Sequence, residues 1–286
     1  MRMRRSQRII FIMGLILILA IVLAPMYWVV ITSFKPASET EGGKLGNLGI
    51  SSFTLDNYKK ILLHNPLWEA YVGKNILTSL KNSFLVALSA TAVALVVGPL
   101  AAYALAMLSI KGKGLISGYV LFAYVFPPFI LMIPLAISLA KMGLVDSLVG
   151  VGFAHLIISV PFTTWMLRGY FLAVPRELQD AALIDGCTKV GVLVRVVLPV
   201  SAPGLVTAAI FAFTQSWSEL LFALVIVNSK ELYTLPIVTT MLKIGDVYIW
   251  GQLMATAVVA ATPPVILYMF IQRYIVRGLM AGAVKG

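Results

Sequence analysis

Charged side chains are absent from six long stretches of the chain: Ile9–Phe34, Asn82–Ile110, Leu115–Ala140, Ser147–Leu167, Val196–Ser218 and Val247–Gln272. The fifth resumes beyond Glu219. A helix needs about 20 apolar residues to cross the hydrocarbon of a bilayer, and every stretch reaches that length. Backbone polar groups must pair internally in lipid, which leaves helices or closed barrels. Barrel strands run to about ten residues with strict alternation, and no such alternation occurs. The pattern predicts an all-α, polytopic membrane protein with six transmembrane helices, at about 9–34, 82–108, 115–140, 147–168, 203–227 and 248–272. The first stretch follows Arg2, Arg4, Arg5 and Arg8, as a secretory signal would. At 26 residues it exceeds a signal's apolar region of about 7–15 residues, so it reads as a retained first span.

The polar segments between the runs differ in character. The segment 35–81 opens with a glycine-rich stretch, Glu41-Gly42-Gly43-Lys44-Leu45-Gly46. From Leu55 through Leu80 it turns amphipathic, and Pro66 and Gly73 break it into short pieces, an interfacial pattern. The segment 174–200 lies between the fourth and fifth runs. There Pro175 suits a first helical turn, Glu177 and Asp180 suit its positive end, and Gly186 suits a stop. A helix of about three turns follows, with Leu178, Ala181 and Ala182 on one face. That face can pack on the chain's own bundle or, because alanine permits close approach, on a partner. A second piece, Lys189–Leu198, ends at Pro199.

Composition strengthens the membrane reading. The 286 residues are 60% hydrophobic and 12% charged, with a mean hydropathy of +0.97, whereas a soluble domain is about a quarter charged. The net charge of +11 is distributed by topology. Six crossings put both termini on one side, together with 13 basic residues and three acids. The other side carries nine basic residues and seven acids, and its short loops hold only Lys141, Lys230 and Lys243. Excess Lys and Arg mark the cytoplasmic side, so both termini are expected there. No basic tract outside these flanks points to nucleic acid. A single cysteine, Cys187, excludes a disulfide framework, and His64 and His155, the only histidines, have no metal-ligand spacing around them.

Within 174–200, the residues Asp180-Ala181-Ala182, Asp185-Gly186 and Leu198-Pro199 resemble the "EAA" loop of binding-protein-dependent ABC importer permeases. Asp180 stands where that family usually has Glu, and Leu193 where an aromatic is common. Phe53-Thr54-Leu55-Asp56-Asn57-Tyr58, Asn82-Ser83, Trp217-Ser218-Glu219 and the ending Gly278–Gly286 are similar to the maltose-type carbohydrate branch. The resemblance covers nearly the whole chain as one transmembrane domain, 1–286. It implies a sugar-import permease subunit in a bacterial or archaeal plasma membrane. It would pair with a second permease, two ATP-binding cassette subunits and an extracytoplasmic solute-binding protein. Glu177, Asp180, Ala181, Ala182, Asp185, Gly186 and Pro199 would form the cytosolic coupling helix and loop that engage the ATPase. The tail 273–286, with Gly282, Lys285 and Gly286, would reach between the ATPase subunits. No Gly-x4-Gly-Lys-Ser/Thr sequence occurs, so the chain has no P-loop. It is expected to be no enzyme and to hold no cofactor, with ATP and magnesium on the partner ATPase.

A competing class is an ion-coupled secondary transporter, which needs ionisable groups inside its spans; only Glu219 and His155 qualify. Tyr124, Phe126, Trp217, Ser218, Glu219 and Phe222 are candidates to face a translocation pathway. Counting at 1.5 Å per residue from Asp146 and from Asn228 places His155 and Glu219 at one depth, about 13 Å from those markers. They can pair with each other, or Glu219 can face a wet pathway or a partner's span.

Overall fold

The structure is a computed structural model that describes residues 5–40, 49, 51–63, 76–244 and 247–283. It is built from helices: α1 (Arg5–Ser33), α2 (Ala37–Thr40), α3 (Asp56–Leu62), α4 (Ile76–Met107), α5 (Lys113–Val125), α6 (Pro128–Lys141), α7 (Leu148–Leu172) and α8 (Arg176–Ile184). Then come α9 (Lys189–Val200), α10 (Ala202–Trp217), α11 (Leu221–Ile226), α12 (Leu235–Thr240) and α13 (Trp250–Ala283). The middle of α9, Leu193–Val197, is wound as a π-helix. Two strands of two residues, Lys243–Ile244 and Val247–Tyr248, form a small antiparallel ladder.

Among the described residues, four helices are long and apolar enough to cross a membrane, within α1, α4, α7 and α13. Two further pairs qualify only as bent units: α5 with α6, at 93°, and α9 with α10, at 84°. Among the described residues the fold is therefore predominantly helical, with four to six candidate spans. The run 115–140, expected as one continuous helix, is broken at Phe126–Pro127. Pro127 and Pro128 follow one another, and a residue before proline is driven out of the helical region; Phe126 is extended, at φ −61°, ψ 131°. The run 203–227 is likewise interrupted, at Ser218–Leu220. The ending 273–286 is no loose tail from its start, since α13 continues through Ala283; Leu, Met and Ala are strong helix formers. Lys285 and Gly286 lie outside the described residues, as do Pro66 and Gly73.

The chain forms two compact units. In the first, 1–77 with 238–262, the backbone leaves α1 through a set of polar ties. The Asn57 amide donates to the carbonyls of Ser33 (3.0 Å) and Lys35 (2.8 Å). The hydroxyls of Tyr58 and Ser33 meet at 2.8 Å. Phe34 stacks on Phe53 and tilts against Tyr58. Gly251 faces Asn57 so closely that a Cβ there would lie 2.7 Å from its amide. The stretch Phe53–Tyr58 is thus a clasp on the end of α1. The apolar residues of α1 from Ile9 to Tyr27 are exposed, Ile10 at 70%, as a surface wetted by lipid requires.

In the second unit, 78–237 with 263–286, α7 is the central helix and packs on both α5 and α10. Gly98 of α4 lets Thr163 of α7 approach, and Gly204 of α10 accepts the ring of Tyr170. At either site a Cβ would come within 2.5 Å of its neighbour, and such small-residue contacts are how membrane helices reach close packing. A buried apolar cluster joins Ala102, Leu167, Phe171, Ala182, Val197 and Ala208, seating α8 and α9 against α4, α7 and α10.

Candidate functional site

The interruption between α10 and α11 holds the most concentrated polar chemistry inside the apolar helices. Ser218 bonds the Thr214 carbonyl twice, through its N–H (3.1 Å) and its hydroxyl (2.8 Å), a local bond that competes with helix continuation. Glu219 then turns its carboxylate back onto the next helix. It accepts from the N–H of Phe222 at 3.1 Å and, more weakly, of Ala223 at 3.4 Å, capping the otherwise orphaned donors of α11. From α7, His155 reaches across. Its Nε2 lies 3.1 Å from Glu219 Oε2, and its Nδ1 lies 2.6 Å from the Ser216 hydroxyl. A carboxylate oxygen accepts, so Nε2 carries the hydrogen of that bond. The side chains of His155 and Glu219 are only 2% and 8% exposed. One imidazole therefore holds both sides of the break, Ser216 on the end of α10 and Glu219 on the cap of α11.

Of the alternatives that equal depth left open for Glu219, the structure has it paired with His155. Ser216 was not expected. Its signal was its place in the last turn before Glu219, where a side chain on the same flank meets whatever partner Glu219 meets.

The far end of α11 is tied as well. Asp146, in the turn between α6 and α7, has φ of 55°, a left-handed conformation uncommon outside glycine. Its N–H donates to the Ile226 carbonyl (2.8 Å). Its carboxylate accepts from the N–H groups of Asn228 and Ser229 and from the Ser229 hydroxyl. Those bonds hold its pKa below the usual aspartate value, the Ser229 hydroxyl foremost. On α4, the Asn82 amide donates to the carbonyls of Glu231 (2.8 Å) and Tyr233 (3.0 Å), and the Ser83 hydroxyl accepts from Leu235 N–H (2.8 Å). Asn82-Ser83 is thus a staple on the 231–235 backbone.

The remaining pathway candidates divide. Trp217 and Phe222 are buried, with Trp217 stacked on Phe213, so they face the bundle interior. Tyr124 packs on Phe162, and Phe126 on Phe122. Ser218 is exposed and lines a cavity of about 300 Å³ with Phe211, Thr214, Gln215 and Tyr268.

The helix expected over 175–186 is α8. Gly186, at φ +83°, ends it in the conformation that favours glycine. The expected shared face is split: Ala182 is buried in the apolar cluster, while Leu178 and Ala181 point outward. Residues 181 and 182 lie 100° apart around a helix, and Ala182 is the one turned onto the cluster with Val192 and Val197. Leu178, Leu183 and Ile184 stand exposed on α8, Ile184 at 86%. Glu177, Asp180 and Asp185 are exposed on the same segment, and Pro199 lies in the last turn of α9.

Residues 94–280 match the family described as binding-protein-dependent transport system inner membrane component. The chain belongs to that family. Family members are transport subunits rather than enzymes, and this one is a multi-pass protein of the plasma membrane. It is 33% identical to the inner membrane ABC transporter permease protein YcjP of Escherichia coli over 99% of this chain and 98% of that one. It is 36% identical to the sulfoquinovosyl glycerol transport system permease protein SmoH of Agrobacterium fabrum, covering 92% and 89%. It is 33% identical to the trehalose/maltose transport system permease protein MalG of Thermococcus litoralis, covering the whole of both. In fold it is similar to a chain of a bacterial ABC transporter involved in the import of the acidic polysaccharide alginate, with a TM-score of 0.75 at 21% identity over 96% of this chain and 99% of that one.

Proposed function

We propose that this chain is a permease subunit of an ATP-driven sugar importer, forming half of a translocation pathway. The observation that carries the reading is the run of full-length relatives at 33–36% identity whose names specify transport of trehalose or maltose, sulfoquinovosyl glycerol and arabinooligosaccharides. In this reading both bent pairs contribute crossings, giving six, and both termini are cytoplasmic. The partners are a second permease, two ATP-binding cassette subunits, which bind ATP and magnesium, and an extracytoplasmic solute-binding protein.

In the same reading, α8 is the coupling element. A helix seated by Ala182 on its own bundle, with Leu178, Leu183 and Ile184 left in water, has the amphipathic geometry that docks in a groove of a partner. Movement of that partner then reaches α4, α7 and α10 through the cluster around Ala182 and Val197. The end of α13 and the residues beyond it supply a second contact with the ATPase.

Ion-coupled transport is disfavoured by the site itself. Glu219 is engaged by His155 and the α11 backbone, a capping role that accounts for a buried carboxylate without ion coupling. The deciding experiment is uptake by the reconstituted complex. Sugar accumulation should require an intact ATPase subunit and continue in the presence of a protonophore. Uptake that persists without the ATPase and stops with the protonophore would reverse the assignment.

A further inference from the structure

α10 presents Thr207, Phe211 and Thr214, followed by its C-cap Ser218, along one stripe, at spacings of four, three and four residues, which is a single face of a helix. With Ile210, Gln215 and Tyr268 they line the cavity of about 300 Å³. Two hydroxyls are spent inside the helix, Thr207 on the Pro203 carbonyl and Ser218 on that of Thr214. The amide of Gln215 and the hydroxyls of Thr214 and Tyr268 have no hydrogen-bond partner among the described residues. Unpaired polar groups at membrane depth are expensive against hydrocarbon, so a lipid chain is a poor occupant. A second groove of the same unit makes the contrast. It measures about 530 Å³ and is lined by Phe84, Leu88, Leu95, Phe213 and Leu267 among others, and the hydroxyl of its Thr91 is bonded to the Ala87 carbonyl. That surface is finished for an apolar neighbour; the first is not.

We propose that the Gln215–Tyr268 cavity is a saccharide-contact site of this subunit, selective for neutral sugars over acidic ones. The proposal rests on the sugar-import reading. A primary amide offers a donor and an acceptor together, and the Thr214 and Tyr268 hydroxyls each offer both, the complement of a sugar's hydroxyls. The exposed ring of Phe211, backed by Phe162 at 4.4 Å, offers a flat apolar face for the C–H side of a pyranose. No lining residue is charged. The adjacent carboxylate of Glu219 is turned away onto His155. A uronate or sulfonate would enter without the Arg or Lys that anion recognition uses and would lose its hydration uncompensated.

The test uses the assembled transporter in proteoliposomes, with trehalose, maltose, glucose and a uronate disaccharide as probes. Wild type should accumulate a neutral sugar and discriminate against the uronate. Gln215→Leu and Tyr268→Phe should each lower neutral-sugar uptake about tenfold, the scale of one lost hydrogen bond to a buried polar group, with the amount of complex unchanged. Gln215→Asn should recover part of the loss, and Gln215→Arg should shift preference toward the uronate. In a Cys187→Ser background, which removes the only cysteine, cysteine placed at 215 should react with a water-soluble maleimide and be protected by the transported sugar. Wild-type uptake and selectivity in Gln215→Leu would overturn the site. So would absence of maleimide labelling, or loss of the second permease from the complex, which would make the cavity a subunit contact. Failure of the wild-type complex to take up any of the four sugars would instead sink the sugar reading on which the site depends.

Discussion

The two ends of α11 and the outer face of α8 resolve the same problem in opposite ways. Around α11 polar groups of the interruption are met within the chain: Glu219 by His155 and the Phe222 N–H, the Asn228 and Ser229 N–H groups by Asp146, the 231–235 backbone by Asn82 and Ser83. Around α8 the apolar groups are left unmet, with Ile184 86% exposed and Leu178 and Leu183 near half. A region that satisfies itself works as a frame. A region that leaves two leucines and an isoleucine on a polar surface is incomplete until something covers it.

The sharpest way to break this contrast is at the end of α8. Gly186→Pro forbids the φ of +83°, because proline is held near −65°. Transport should fall below detection while the permease still inserts, as judged by its yield in the membrane fraction. Normal transport in that variant would remove α8 from the coupling route. The next largest effect belongs to the frame. Glu219→Ala strips the cap from α11 and leaves a buried imidazole nitrogen unpaired, so thermal unfolding of the purified permease should register a loss of about 3 kcal/mol. A double-mutant cycle with Glu219→Gln and His155→Asn should return a coupling of about 1 kcal/mol; additive losses would mean the contact is energetically idle.

How much of this was legible in the sequence follows from the range of each force. The apolar runs, the α8 boundaries and the depth match of His155 with Glu219 are local or one-dimensional quantities, and counting residues reaches them. The two breaks were missed as breaks because hydropathy averages over them. Pro127-Pro128 carried a visible signal, whereas the interruption at Ser218 depends on a histidine 64 residues away in sequence from Glu219. The facing of Ala181 and Ala182 could not be assigned from spacing, since adjacent small residues fit either surface until α9 is in place. Asp146 served in the sequence only as a marker of a loop, and its tie to residues 226–229 is purely tertiary.

A smaller effect sharpens the α8 side. Ile184→Asp should lower association with the ATPase subunit about tenfold in pull-down titrations. It should leave the permease's own stability within about 0.5 kcal/mol, as surface changes do. Ala182→Trp should behave differently: it overpacks the cluster beside Val192 and Val197 and should cost about 1–3 kcal/mol of stability. Equal behaviour of the two variants would erase the inward and outward faces of α8. The smallest effect is pH dependence at the Asp146 tie. Its folded pKa lies below the unfolded value, so the tie contributes fully above the ordinary aspartate range and is lost as pH falls through the depressed value. Asp146→Asn should flatten that acid limb in unfolding curves, and an unaltered limb would assign the acid sensitivity elsewhere.

The staple from α4 also has a consequence for how the protein is made. Asn82 and its acceptors at Glu231 and Tyr233 are 149 and 151 residues apart. At a synthesis rate of roughly 5–20 residues per second, α4 leaves the ribosome on the order of ten to thirty seconds before the segment it clasps exists. Throughout that interval the Asn82 amide and the Ser83 hydroxyl must be hydrated, so the start of α4 has to wait at a wet membrane surface or beside the insertion machinery. Final seating of α4 is thereby deferred until residue 235 has been translated, and a chain truncated before that point would carry an unlatched helix, recognisable to quality-control proteases as unfinished.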